Sequence, residues 1–229
     1  MKRLIALLLV VVMVISLAAC GDNGTTGDKN NTTASTNENI NADNTEITIE
    51  TVKNAKETDA SLFEYEEVDG GVSITGFNGT EKIVVIPSNI GDKTVLSISD
   101  NAFINNSTML GLRLSGSVLQ IGSHAFENCV SLEIFVAGSS LENIKEFAFN
   151  GCLALNKVEL NEGLKSLEML CFGATDISEL YIPMSVETID VPFTKKEEKT
   201  LKIISQVGSE AEKYVDMDGE SFNIVFEAK

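Results

Sequence analysis

Three downstream cysteines, one histidine and a short acidic run are the residues of this 229-residue chain whose types invite chemistry. Cys129 and Cys152 lie 23 residues apart, Cys171 follows 19 residues later, and His124 stands five before the first of them. Zinc sites group thiolates and imidazoles at short paired spacings, and no such pair is present, so neither a metal nor a cofactor is expected. His124 has no repeated carboxylate or cysteine partner and reads as an exposed polar residue of a surface turn. Asp216-Met217-Asp218-Gly219-Glu220 begins like a calcium loop but lacks the later ligands, and is expected as a turn between a closing helix and a last strand. No nucleophile elbow, phosphate-cradling loop or paired-carboxylate motif appears. Catalysis has no visible foothold, and the chain is not expected to be an enzyme.

The elements that position these residues repeat. Ile98, Ile121, Ile144 and Leu167 are spaced by 23, and each is followed by a Phe preceded by a small residue: Ala102-Phe103, Ala125-Phe126, Ala148-Phe149 and Cys171-Phe172. Val95, Val118, Leu141 and Leu164 keep the same interval, as do Met109, Leu132 and Leu155, and Leu112, Phe135 and Val158. Repetition at this period signifies a solenoid, in which one coil cannot bury its apolar face and neighbours must stack to make a core. Equivalent residues then form interior rows, with a short strand of each coil roughly 4.8 Å from the next. After Phe172 the interval shortens to 22 (Ile177, Leu180, Ile189), and from Asp190 to Thr200 the pattern breaks down. Pro192-Phe193 stands in for Ala-Phe, and Lys195 to Lys199 reads as a solvated loop.

Upstream, Phe63 to Val68 and Val72 to Ile74 alternate around Asp69-Gly70-Gly71, a hairpin whose turn needs positive φ. Ile83 to Ile86, stopped by Pro87, reads as an apolar strand. The chain from Phe63 onward resembles the BspA-type leucine-rich repeat of bacterial surface proteins, through Ile121-x-x-x-Ala125-Phe126-x-x-Cys129-x-x-Leu132 and its repetition from Ile144 to Leu155. Gly70-Gly71-Val72 through Val95, and Gly208 to Tyr214 with a last strand around Phe222 to Phe226, are similar to that family's caps. Asn106 replaces Cys in the first copy. The resemblance implies an α+β repeat fold: a leucine-rich-repeat solenoid of short stacked parallel strands with an N-terminal hairpin cap and a C-terminal helix-strand cap. The domain is expected over residues 61–229, with an N-terminal cap at 61–94, repeats at 95–200 and a C-terminal cap at 201–229.

The first 19 residues have the charged start and apolar run of a signal peptide, too short to span a bilayer comfortably. Leu17-Ala18-Ala19-Cys20 resembles the lipobox of bacterial lipoproteins, which implies that Cys20 is lipidated and becomes the first mature residue; the alternative is an ordinary secretory signal with a chance cysteine. Residues 20–60, rich in Asn, Thr, Asp, Gly and Ser, read as a disordered tether. Within it, the alternation around Ile47 and Ile49 leaves an isolated strand open. The formal charge of −17 argues against nucleic acid and anionic lipid as partners. Export permits a disulfide between Cys129 and Cys152, which share a slot in adjacent coils. That slot is an interior turn, however, where cysteine serves as a small hydrophobe, and free thiols are the favoured reading.

Alternate residues of the short strands point outward onto a continuous sheet. Val85, Arg113, Val136, Glu159, Tyr181 and Lys202 are expected to form one such row, of a chemistry that suits protein contacts. The expectation is therefore a monomeric, extracytoplasmic protein held at the cell surface by a lipid on Cys20. It would offer a rigid sheet to a protein ligand, with adhesion implied by the family resemblance. A structural or assembly role within the bacterial envelope is the alternative, and a solute-binding or enzymatic lipoprotein is a more distant one.

Overall fold

The computed structural model describes residues 46–194 and 198–229. The signal segment, Cys20, the tether up to residue 45 and residues 195–197 of the charged run lie outside the described residues. The chain begins with helix α1 (Ile49–Asn54) and a 3₁₀ turn at Ala60–Leu62. It continues through β1 (Phe63–Val68), β2 (Gly71–Phe77), β3 (Ile83–Val85), β4 (Asn89–Ile90), β5 (Lys93–Ile98), β6 (Gly111–Arg113), β7 (Gln120–Ile121) and β8 (Ile134–Val136). There follow β9 (Asn143–Ile144), β10 (Lys157–Glu159), β11 (Ser166–Leu167), β12 (Glu179–Tyr181), β13 (Thr188–Ile189) and β14 (Leu201–Ser205). The last elements are helix α2 (Glu210–Phe222) and β15 (Ile224–Ala228).

Each coil contributes one strand to each of two parallel stacks. The first runs β3-β6-β8-β10 and resumes as β12-β14-β15; the second runs β2-β5-β7-β9-β11-β13 and is closed by β1, antiparallel to β2. This is the expected leucine-rich-repeat solenoid. The hairpin turns at Gly70, whose φ of +83° only glycine adopts freely.

Between the two stacks lies one continuous core, and the phenylalanines form its column. Phe103, Phe126, Phe149 and Phe172 follow one another at centroid spacings of 4.8, 5.1 and 5.4 Å, with rings within 23° of parallel. Phe193 continues the column at 6.2 Å, as Pro192-Phe193 was expected to do, and Phe77 begins it 5.6 Å from Phe103. The preceding Ala125, Ala148 and Cys171 are fully buried, so a bulky residue has no room there. Coils are also tied through their backbones: Phe103, Phe126 and Phe149 donate to the carbonyls of Ala125, Ala148 and Cys171 at 2.7 to 2.8 Å.

The turn that carries the phenylalanine needs two left-handed residues four positions apart. Asn101 and Asn105, His124 and Asn128, Phe147 and Gly151, and Leu170 and Ala174 fill these places, with φ between 49° and 75°. Asparagine and glycine tolerate that region, whereas bulky side chains enter it at a cost. The interior rows offset that cost.

Three sequence readings are corrected. Residues 46–60 are not tether: Thr48 caps α1 by accepting from the Thr51 N–H, and Val52 and Thr58 are buried, so the folded unit includes residues ahead of residue 61. Nor is Ile47-Thr48-Ile49 a strand. Asp216 to Glu220 is not a turn but the middle of α2, which runs from its Ser209 cap to Asn223 in the left-handed conformation. Ala211, Tyr214, Val215 and Phe222 pack at helical spacing against the end of the core. That burial overrides the helix-breaking tendency of Gly219.

Candidate protein-binding face

The outward residues of the first stack, where a ligand would meet the sheet, fall into two halves of different chemistry. Val85, Arg113, Val136 and Glu159 are hydrogen-bonded neighbours in one rung, as expected. The next rung residue is Tyr181, but its partner on β14 is Ile204; Lys202 stands opposite Glu179 instead. Lys202 is therefore on the same face, one step off the row. The regular 23-residue step carries from Glu179 to Lys202 and from Tyr181 to Ile204, so Lys202 lies two residues short of the row.

The first half of the row is covered. Val85 and Val136 are buried, and so is Ile134 beside them. Ile47, Ile49 and Val52 pack on Ile83, Ile134 and Val136 in a small cluster separate from the main core. Arg113 reaches over the last turn of α1 and donates from Nε to the Val52 carbonyl at 3.2 Å and from Nη2 to the Ala55 carbonyl at 2.7 Å. A guanidinium there joins the Ala55 N–H at the Val52 carbonyl, bonds the Ala55 carbonyl just past the helix end and complements the helix's negative pole. Lys53 pairs with Glu159 at 2.7 Å, and its ammonium pKa is raised by that hydrogen bond. Thr58 bonds the edge of β3 twice, donating its N–H to the Val85 carbonyl at 3.0 Å and accepting the Val85 N–H on its hydroxyl at 2.9 Å.

Gly111 makes the close approach possible. A β-carbon at this position would lie 2.6 Å from Val52 Cγ2 and 2.9 Å from Ile47 Cδ1, closer than side-chain carbons come. Its rung neighbours are Ile83 and Ile134, with Lys157 beyond. The gap at Gly111 is a seat for α1.

The second half, on β12, β14 and β15, is uncovered among the described residues. Lys202 holds Glu179 at 2.5 Å and Glu227 at 3.2 Å, and these hydrogen bonds raise its pKa. The Tyr181 hydroxyl donates to Glu162 at 3.0 Å, while the Lys229 ammonium lies 3.8 Å above the Tyr181 ring centroid. Burial, then the Glu162 carboxylate, raises the Tyr181 pKa, so the phenol is neutral at physiological pH. Exposed pairs of this kind add little stability. What they supply is a fixed pattern of alternating charge around one aromatic ring, with the exposed Val225 alongside.

The remaining chemistry-bearing residues have structural roles. Cys129, Cys152 and Cys171 are free and fully buried. Cys129 and Cys152 donate from Sγ to the carbonyls of Phe103 and Phe126 in the preceding coil, at 3.3 and 3.2 Å. His124 is more than an exposed polar residue. It stacks on Phe147 with ring centroids 4.9 Å apart, and its Nδ1 lies 2.8 Å from Glu127. Burial favours protonation of Glu127, but hydrogen bonds from Asn150 and His124 outweigh it and hold the carboxyl below its usual pKa. On the outer face of the second stack, Ser73, Ser97 and Ser99 line an open polar hollow of about 460 Å³ with Glu66 and Asp100; the hydroxyls bond one another at 2.6 and 2.8 Å. Among the described residues, no three His, Cys, Asp or Glu side chains are grouped to hold a metal ion. No helix among them is long and apolar enough to cross a membrane.

Sequence reasoning missed α1, its buried Val52 and the Gly111 seat. One signal was available: the outward slots Ile83, Val85, Ile134 and Val136 are all apolar, whereas Lys157, Glu159, Glu179 and Lys202 are charged. An apolar half of an otherwise charged face implies a cover.

Residues 77–200 match, in six copies, the family described as BspA type Leucine rich repeat region. Among solved structures, the chain is similar to the leucine-rich repeat protein TpLRR of T. pallidum. Identity is 26%, with 65% of this chain and 71% of that one covered and a TM-score of 0.60. A leucine-rich repeat protein from Bacteroides ovatus is 25% identical, over 62% of this chain and 45% of that one, with a TM-score of 0.51. The chain thus spans less than half of the Bacteroides protein. Comparison with curated proteins finds no match.

Proposed function

Because this chain belongs to the BspA type leucine-rich repeat family, we propose that it is a protein-binding module of the bacterial cell surface. On this reading a lipid on Cys20 holds it to the membrane, and the uncovered half of the first strand stack meets the ligand. The observation that carries the reading is the pattern on that half: Tyr181 flanked by Lys229, Lys202, Glu179 and Glu227 on parallel strands that the coils hold rigid. An aromatic anchor within a polar, charge-patterned rim is the composition of protein interfaces. Proteins carry the complementary mixed charge; polyanions do not. Of the expected row, Tyr181 and Lys202 are retained in this role, Glu159 borders it, and Val85, Arg113 and Val136 belong to the α1 seat. Adhesion is the physiological use that best fits a rigid face displayed from a membrane.

The test is capture by the full mature chain from host matrix proteins and, separately, from envelope extracts. Binding of a host protein that Tyr181→Ala with Lys202→Glu abolishes supports adhesion. Capture of an envelope component through the same residues supports the assembly role instead. Capture unaffected by both substitutions contradicts the proposed face.

A further inference from the structure

We infer that the open edge of β15 is a docking site for an extended segment of the protein ligand, which adds to the first strand stack as one further strand and sets a cation against Glu227. The inference rests on the binding-face reading, because β15 is the last strand of the uncovered half, and it states the form the ligand takes there. β15 pairs on one side only. Leu201 donates to the Asn223 carbonyl and Lys229 to the Ser205 carbonyl, so Val225 and Glu227, in the same alternation, turn their N–H and C=O groups toward β14. The backbone groups of Ile224, Phe226 and Ala228 then point the other way. Helix α2 screens the first of these, since a β-carbon on Gly219 would lie 2.9 Å from the Ile224 carbonyl oxygen. Those of Phe226 and Ala228 meet no partner among the described residues.

The other outermost strands are blunted. Thr58 bonds the edge of β3, α2 lies against β13, and β1 has a register shift between Glu64 and Tyr65 together with exposed Glu64, Glu66 and Glu67. Covers, bulges and charges of this kind keep edges from pairing. β15 has no bulge, and its edge begins with Ile224, Val225 and Phe226. Two rungs fix what an added strand carries: Glu179, Lys202 and Val225 form one, and Tyr181, Ile204 and Glu227 the other. The residue set against Val225 is apolar. The residue set against Glu227 is Lys or Arg, because Lys202 is shared, lying 2.5 Å from Glu179 and 3.2 Å from Glu227. Between them, opposite half-buried Phe226, an apolar residue extends the core. A second copy of β15 fits worse: in the symmetric antiparallel pairing about Phe226, Glu227 meets Val225 and no cation, and each chain carries a formal charge of −17. Strand addition takes affinity from backbone bonds and specificity from alternate side chains.

The test uses the full mature chain and a fluorescent, terminally blocked peptide of alternating threonine and valine with one central lysine. A second probe is the same peptide methylated on each backbone nitrogen, which keeps the side chains and removes the strand donors. Ala228→Pro removes an outward N–H at an exposed position and leaves the bonds to β14 in place. Circular dichroism reports the fold. The expected result is saturable binding by the wild-type chain, weakened by about tenfold or more by N-methylation and by Ala228→Pro. Glu227→Lys should bind the lysine peptide at least about tenfold more weakly and prefer the peptide with glutamate in its place. Amide exchange at Phe226 and Ala228 should slow when the peptide is bound. If Ala228→Pro does not hold its fold, that exchange in the wild-type chain decides in its place.

Absence of saturable binding overturns the inference. So does binding indifferent to N-methylation or to Ala228→Pro, or an unchanged peptide preference in Glu227→Lys. A concentration-dependent wild-type dimer that Ala228→Pro dissociates makes the occupant a second copy, and so also overturns it. The capture experiment is decided at Tyr181 and Lys202 instead: a partner lost with those substitutions but kept by Ala228→Pro contradicts strand addition and leaves the binding face standing.

Discussion

Phe126 and Phe149 lie one coil apart with their rings 5.1 Å between centroids and 7° from parallel, the most nearly parallel pair of the core column. Phe149 also touches Phe172 at 5.4 Å and Phe135 at 4.6 Å, so it joins three coils and the first strand stack. Truncating it removes contacts that no neighbour can replace. Phe149→Ala is expected to cost about 3 to 5 kcal/mol in denaturant unfolding, most of the margin of an ordinary domain. A cost below about 1 kcal/mol, the range of a repacked surface site, would show that the column does not bear the fold.

The left-handed turn positions give a prediction of opposite sign. Ala174 is exposed at φ 49°, in the slot that Asn105, Asn128 and Gly151 occupy in the other coils. Ala174→Gly removes the clash of a β-carbon without losing burial. It should raise stability by about 0.5 to 1 kcal/mol despite the greater freedom of the unfolded glycine. Thermal unfolding of the two chains side by side decides it.

Alkaline pH should loosen the domain. Burial pushes the Cys171 thiol and the Tyr214 phenol up, and for Cys152 contact with the Cys129 thiol does so ahead of burial. Folded pKa values above the unfolded ones mean that the native state keeps protons the unfolded chain releases. Their contribution is whole below the unfolded thiol value near 9 and is lost as pH rises beyond it. Denaturation midpoints should be flat from about pH 7 to 8.5 and fall above that. Cys171→Ala, which restores the residue of the other coils, should make the fall shallower. An unchanged slope would remove Cys171 as a cause.

The repeat, both caps and the phenylalanine column were legible because each interior row is written several times at one spacing: Ile98, Ile121 and Ile144 predict one another. What was not legible occurs once. Residues 46–58 are polar by composition, and only their fit to Gly111 and Arg113 turns Ile47, Ile49 and Val52 into an ordered cover; neither half shows the contact by itself. The position of Lys202 was missed for a different reason: the broken pattern between Asp190 and Thr200 hid that the strands themselves keep the 23-residue step, which leads from Tyr181 to Ile204. Asp216 to Glu220 read as a turn through Asp and Gly, yet the packing of Tyr214 and Phe222 extends the helix through them.

Arg113 gives a local prediction. Its two bonds to the α1 carbonyls are charge-assisted, and Lys cannot reproduce the planar fork. Arg113→Lys should increase hydrogen exchange and proteolysis within residues 46–58 while leaving the melting of the repeats nearly unchanged, because the cluster under α1 is separate from the main core. Loss of the whole fold in this variant would mean that the helix is part of the core.

The central claim, that the uncovered strands β12, β14 and β15 meet a protein ligand, is tested most directly by hydrogen-exchange footprinting of the full mature chain with a captured partner. Protection should concentrate on Glu179–Tyr181, Leu201–Ser205 and Ile224–Ala228. Protection confined instead to the outer face of the second stack, at Ser97, Gln120 and Asn143, would contradict it.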